Sequence, residues 1–408
     1  MAVAALPSLL TEVETAVGAS RPDAVDAAVK AFRAKAPPLE LVRSAARGVA
    51  SHYDRASGVA PRSLAILGAA ANLTSVMEPR FQVLPVLQAI AYAASEKKPA
   101  TPAKPPLIVS GEVTHLGRSF LFAVRAGDVA EAESIFLGMV DEGWERKMAG
   151  DMLFRAALED MGEGGRKLFL SVKSWQLARA IGFKDARRIL RPAVDYLVKG
   201  PGDRTAFETI LTVLGKEWVD LEALSSGGRP LDEPGRIRMQ QIASAPSDAV
   251  CINATLSLLR DGYAASGIAE GLTVEAARRL LTAKGYDTEA ARRLLFAHAS
   301  RFVLNFSRTG ERLYTLFQAA LRVRSPEPAL KADIDPGTSM GKLNIIANLA
   351  CRDSATANEG YNLLLADACI NEYDATKATP IIRALARMTE ASPKDQAAYK
   401  SWAPLFGP

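Results

Sequence analysis

Apolar side chains recur every three or four positions along almost the whole chain, and runs that alternate apolar with polar residues, the mark of a half-buried strand, are essentially missing. In residues 207 to 218, Phe207, Ile210, Leu211, Leu214 and Trp218 fall on one stripe of a helix turning about every 3.6 residues, as a rod packed against a core requires. Leu168, Val172 and Trp175 do the same upstream, followed by Leu190, Val194 and Leu197. The spacing predicts an all-α protein, a multi-helical array or bundle of roughly eighteen to twenty helices with no significant sheet.

Punctuation agrees with this rhythm. Pro22, Pro38, Pro61, Pro246 and Pro393 stand where first turns begin, because proline lacks only an N–H that the first turn leaves unpaired; Gly18, Gly182, Gly200 and Gly285 stand where helices end. Asp128 with Glu131 forms a capping-box pattern ahead of an apolar run. The Pro- and Lys-rich stretch 97–110 cannot continue a helix and divides an N-terminal helical unit, 1–96, from a C-terminal one, 111–408. Within the latter, Gly- and Pro-bearing segments near 225–237 and 324–341 read as long loops. Residues 123 to 143 resemble one helical hairpin of a tetratricopeptide or pentatricopeptide array, but no second copy follows at a period of roughly 34 residues, so a solenoid of that kind is not expected.

Charge changes this picture little. Fifty basic and 45 acidic side chains leave a net +5 over 408 residues, concentrated in 166–204 and 278–324, where Arg187, Arg188, Arg191, Arg292 and Arg293 are candidates for anion binding. Neither run carries the interleaved aromatic platforms of nucleic-acid binders, so solvated helix faces are the simpler reading and nucleic acid is disfavoured. The three cysteines, Cys251, Cys351 and Cys369, sit in apolar stretches without framework spacing, which predicts reduced buried thiols and a cytoplasmic location. The N-terminal residues lack the basic segment of a signal peptide, and no apolar run approaches the roughly 18–20 residues that span a bilayer, so no membrane association is expected.

The chemistry-bearing motifs are few. Phosphate loops, dinucleotide fingerprints, nucleophile elbows, HExxH and CxxC are all missing. Three histidines remain. Glu112 and His115 form a Glu-x-x-His pair, whose spacing puts both side chains on one helix face as helical di-iron proteins require, although a single copy falls short of that ligand set. His298 shares a face with Leu294, Phe302 and Asn305, the usual setting of a core histidine. His52 lies near a helix C-terminus, where a cationic ring favours the dipole. Imidazoles from separate helices can also converge on one metal, so His52, His115 and His298, with Glu112, are the candidate ligands.

The runs 63–96, 164–198 and 247–308 resemble the large helical domain of questin oxidase-like proteins, a domain also found fused to Rieske iron-sulfur domains. The resemblance implies an all-α oxidoreductase that tailors a polyketide-like aromatic molecule, with a Gly-His at the head of the helix that here begins Gly165, Arg166, Lys167, Leu168. Arg166 replaces that histidine, whereas His298 matches a family histidine. The Cys and His ligands of a Rieske cluster are missing, and no cofactor is specified.

Three readings follow. In the first, the helices enclose an apolar pocket that binds or oxidises a hydrophobic small molecule, with His115 and His298 near it. In the second, a non-catalytic helical adaptor presents a surface to a protein partner. The third is anion or nucleic-acid binding through the Arg-rich helices.

Overall fold

The computed structural model describes residues 6–55, 58–104, 107–140, 143–325 and 340–407. Among them are twenty-one α-helices, three short 3-10 turns and no strand; one isolated parallel bridge joins Arg229 to Tyr263. The chain opens with α1 (Leu6–Gly18), α2 (Ala24–Arg33), α3 (Pro38–Ser51), α4 (Arg62–Thr74) and α5 (Val83–Ser95). After the connector come α6 (Val113–Ala126), α7 (Val129–Met139), α8 (Gly143–Leu158), α9 (Gly162–Ala180), α10 (Ala186–Lys199), α11 (Thr205–Lys216) and the one-turn α12 (Leu221–Ser225). Then follow α13 (Glu233–Ala243), α14 (Asp248–Arg260), α15 (Ala265–Thr282), α16 (Thr288–Phe306) and α17 (Leu313–Val323). The last four are α18 (Met340–Arg352), α19 (Tyr361–Thr376), α20 (Thr379–Ala391) and α21 (Ala397–Trp402).

Local chemistry fixes many of the ends. The Asp128 carboxylate accepts from Glu131 N at 3.0 Å and starts α7, Asp287 takes the N–H groups of Glu289 and Ala290 at α16, and Gly127 closes α6 in the left-handed conformation that glycine adopts without Cβ strain. Two loop expectations change. Asp232 caps Gly235 N at 2.9 Å and Pro234 sits in the first turn of α13, so the helix begins inside the segment read as a loop and only residues 226–232 stay irregular. Of the segment 324–341, residues 326–339 lie outside the described ones.

The described residues of the connector carry no helix, and they are tied down: Ala103 N donates to Ser51 O, and Val109 N to Ser134 O. Helices on its two sides share one core that runs from Leu9 to Phe406. In that core α4 lies against α9 and α19, and α16 closes the ring by packing on both α9 and α19. These four helices position the site.

The head of α9 is unusual. Glu163, Gly164 and Gly165 all have positive φ (52°, 75° and 81°), and a Cβ on Gly165 would stand 2.2 Å from Phe296 Cε2. Glycine is required there both by the backbone and by the ring of α16. Elsewhere, a buried acid is poorly served: the Asp195 carboxyl on α10 is 3% exposed, its Oδ1 has no hydrogen-bond partner, and burial together with the Glu133 carboxylate pushes its pKa up to about 7.

Two stability tests follow. Gly165→Ala should cost about 3 kcal/mol, combining left-handed strain with overpacking against Phe296, whereas Gly182→Ala, at φ 79° with open space around it, should cost only the strain, about 1–2 kcal/mol; equal losses in urea unfolding would remove the ring contact as a cause. Because the Asp195 pKa is higher folded than unfolded, the folded state holds the extra proton and stability falls as pH rises from about 4 to about 7. Asp195→Asn should therefore raise the melting temperature by a few degrees at pH 8 and leave it nearly unchanged at pH 5.

Candidate functional site

Each helix of the ring contributes a polar residue to the same buried point. On α9, Lys173 interrupts an apolar stripe and is fully buried, as is Asp367 on α19; Lys173 Nζ donates to Asp367 Oδ2 at 2.6 Å. A buried ion pair of this kind survives only when its remaining hydrogen-bonding capacity is met. Here it is met: Lys173 Nζ also donates to Gln176 Oε1 at 3.0 Å, while Asp367 Oδ1 accepts from Asn371 at 2.8 Å and from Asn72 of α4 at 3.2 Å.

His298 of α16 extends the network. Its Nδ1 lies 2.8 Å from Glu372 Oε1 and its Nε2 lies 3.4 Å from Lys173 Nζ. An ammonium only donates and a carboxylate only accepts, so this geometry assigns the proton to Nδ1 and leaves Nε2 as the acceptor. Glu372 is further bound by Arg301, one turn along α16. Burial drives the Glu372 pKa upward, but the His298 hydrogen bond and the charge of Arg301 outweigh it and hold the carboxyl below its ordinary value. Arg301, Glu372, His298, Lys173 and Asp367 thus form one continuous chain of neighbours.

A cavity of about 430 Å³ opens beside this chain, between the C-terminal ends of α4 and α9 and the flanks of α16 and α19. Asp367, Glu372, His298 and Arg301 reach its wall, joined by Gln176, Arg179, Asn305 and Asn371; Leu73, Val76, Phe302 and Ile370 supply an apolar strip. The volume suits a small organic ligand. The pocket is polar along much of its wall rather than apolar as expected, because burying Lys173 and Asp367 draws amides and further charges around them.

Of the candidate ligands, only His298 is at this cavity. His52 caps the C-terminus of α3, with Nδ1 3.1 Å from Pro99 O. His115 is exposed in the first turn of α6, and Glu112 is that helix's N-cap, accepting from Thr114 N and His115 N. Among the described residues no group of three or more His, Cys, Asp or Glu side chains is placed to hold a metal ion. Arg166 lines a separate crevice and pairs with Glu163 at 2.8 Å.

The anion-binding candidates are engaged within the fold. Arg187 donates to Leu137 O, Arg188 to Glu14 at 2.6 Å, and the buried Arg191 lies 3.1 Å from Glu133. Arg292 donates to the Tyr361 hydroxyl at 2.7 Å, and Glu289 lies 3.7 Å from Arg292 and 3.8 Å from Arg293. The residues that sequence reading passed over are Lys173, Asp367 and Glu372. A signal existed in each case, a charge standing inside an apolar run such as LFLSVKSWQL or NLLLADACINEY.

No protein-family model, curated protein or solved structure matches this chain.

Lys173→Met strands a buried carboxylate and should destabilise the fold by about 3–5 kcal/mol, and adding Asp367→Leu should recover most of that loss because no lone charge remains. A single-variant loss under about 1 kcal/mol in urea unfolding would mean that solvent reaches Asp367 and that the pair does not organise the wall.

Proposed function

We propose that this chain binds a small amphipathic organic molecule in the cavity between α4, α9, α16 and α19. One observation carries the reading: a cleft of about 430 Å³ is walled by a connected set of buried ionisable groups. Binding and active sites gather buried, mutually coupled ionisable groups beside a cleft, because a desolvated charge or donor interacts more strongly with a ligand than one in water does. The strip of Leu73, Val76, Phe302 and Ile370 suits the hydrophobic part of such a molecule, and the amides and charges opposite suit its oxygens.

We extend the proposal to oxidation of an aromatic polyketide-like substrate, the reaction that the questin oxidase-like resemblance implies. The location that goes with the proposal is the cytoplasm. Cys251, Cys351 and Cys369 are buried and unpaired, with their thiols pushed well above the ordinary pKa by burial, and no helix among the described residues is long and apolar enough to cross a membrane.

A fragment screen by ligand-observed NMR should return aromatic fragments with oxygen substituents. Ala375→Trp places an indole at the mouth of the cavity and should weaken these hits about tenfold or more while leaving the circular dichroism spectrum unchanged. Hits indifferent to that substitution would place binding elsewhere and end the proposal.

A further inference from the structure

We infer that the cavity is built for an organic anion, whose charged oxygens meet Arg179 with Gln176, Asn305 and Arg301 around it. This rests on the cavity being a ligand site and adds the class of ligand.

Donors and acceptors around the cavity are unevenly spent. The carboxylates of the wall are satisfied from within: Asp367 by Lys173, Asn371 and Asn72, and Glu372 by His298 and Arg301. Each therefore has a cation matched to it, Lys173 for Asp367 and Arg301 for Glu372. Arg179 is left over. It lines the cavity, is exposed, and makes no side-chain hydrogen bond or ion pair among the described residues.

The neighbouring groups are unspent donors too. Gln176 uses its oxygen on Lys173, which leaves its amide N–H groups for the cavity, and Asn305 has no side-chain partner among the described residues. Arg301 lines the cavity beside them, with its terminal nitrogens turned to Glu372 and Glu270. Glu270, 3.5 Å from Arg301, shares that guanidinium with Glu372, so among the described residues Arg179 is the cavity's cation without an acid of its own. Gln176 and Arg179 are three residues apart on α9, and Arg301 and Asn305 four apart on α16; each pair shares a helix face, and the two helices pack together. A planar guanidinium flanked by amide donors matches a carboxylate or a phosphate ester, and an amine or a neutral alcohol would leave Arg179 without a counter-charge.

Isothermal titration calorimetry at low salt with four probes of one ring size, benzoate, phenyl phosphate, benzamide and benzyl alcohol, tests this. At least one anion should bind about tenfold tighter than benzamide, and Arg179→Gln should abolish that preference while leaving benzamide affinity unchanged. Preference for benzoate or for phenyl phosphate then tells carboxylate from phosphate. Equal binding of anions and benzamide, lost together in Ala375→Trp, would overturn the anion assignment and leave the pocket standing. Anion binding that survives Ala375→Trp would overturn both, and the failure of both anions to bind the wild-type chain would overturn the anion assignment.

Discussion

Lys173 and Asp367 form an ion pair whose two side chains have no exposed surface, and this sets the terms for the four helices around them. Desolvation of such a pair is repaid only if nearly every remaining proton and lone pair finds a partner, and the partners here come from α4, α9, α16 and α19 together. Apolar packing alone tolerates sliding and repacking among rods of similar surface. A carboxylate that must meet Asn72, Lys173 and Asn371 at hydrogen-bond distance does not, so the network selects one register for the ring. The ends of α4 and α9 then stand apart from the flanks of α16 and α19, and the cavity is the space between them.

The helices were legible because their information is local. The stripes through Leu168, Val172 and Trp175 and through Leu190, Val194 and Leu197 become buried faces of α9 and α10, and the Asp128 half of the capping box forms, while the Asp128 N–H goes to Ala123 O rather than to Glu131. Even Pro192, inside α10, did not disturb the reading, since the apolar stripe runs unbroken across it. Ambiguous places are those where one residue type serves two ends. Pro234 stands in a segment of loop composition and instead opens α13, because Asp232 ahead of it caps the helix. Glu112 and His115 have the spacing of a metal pair, and the same spacing lets a carboxylate cap the turn that His115 occupies.

The site was half legible. His298 stood out by its residue type, and its setting on an apolar face correctly suggested a buried ring bonded to a neighbour. Its partners were invisible, since Glu372 lies 74 positions away and Asp367 lies 194 positions from Lys173. Periodicity carries no information about pairing at such range. A lysine in an apolar run is read as a flaw in a stripe until the carboxylate that answers it is placed beside it.

The arginines show the same division from the other side. Sequence density drew attention to the runs 166–204 and 278–324, yet density measures only how many cations are nearby, whereas a ligand sees only those left uncompensated. Folding brings Glu14, Glu133 and Glu289 to Arg188, Arg191 and Arg292, from helices distant in sequence for the first two and from the same helix for the third. Arg179, in the less crowded middle of the first run, keeps no such partner among the described residues and lines a cavity whose own carboxylates are already satisfied. The functional surface of a helical protein such as this is set by the remainder after its internal pairs are formed, and that remainder is a property of the fold.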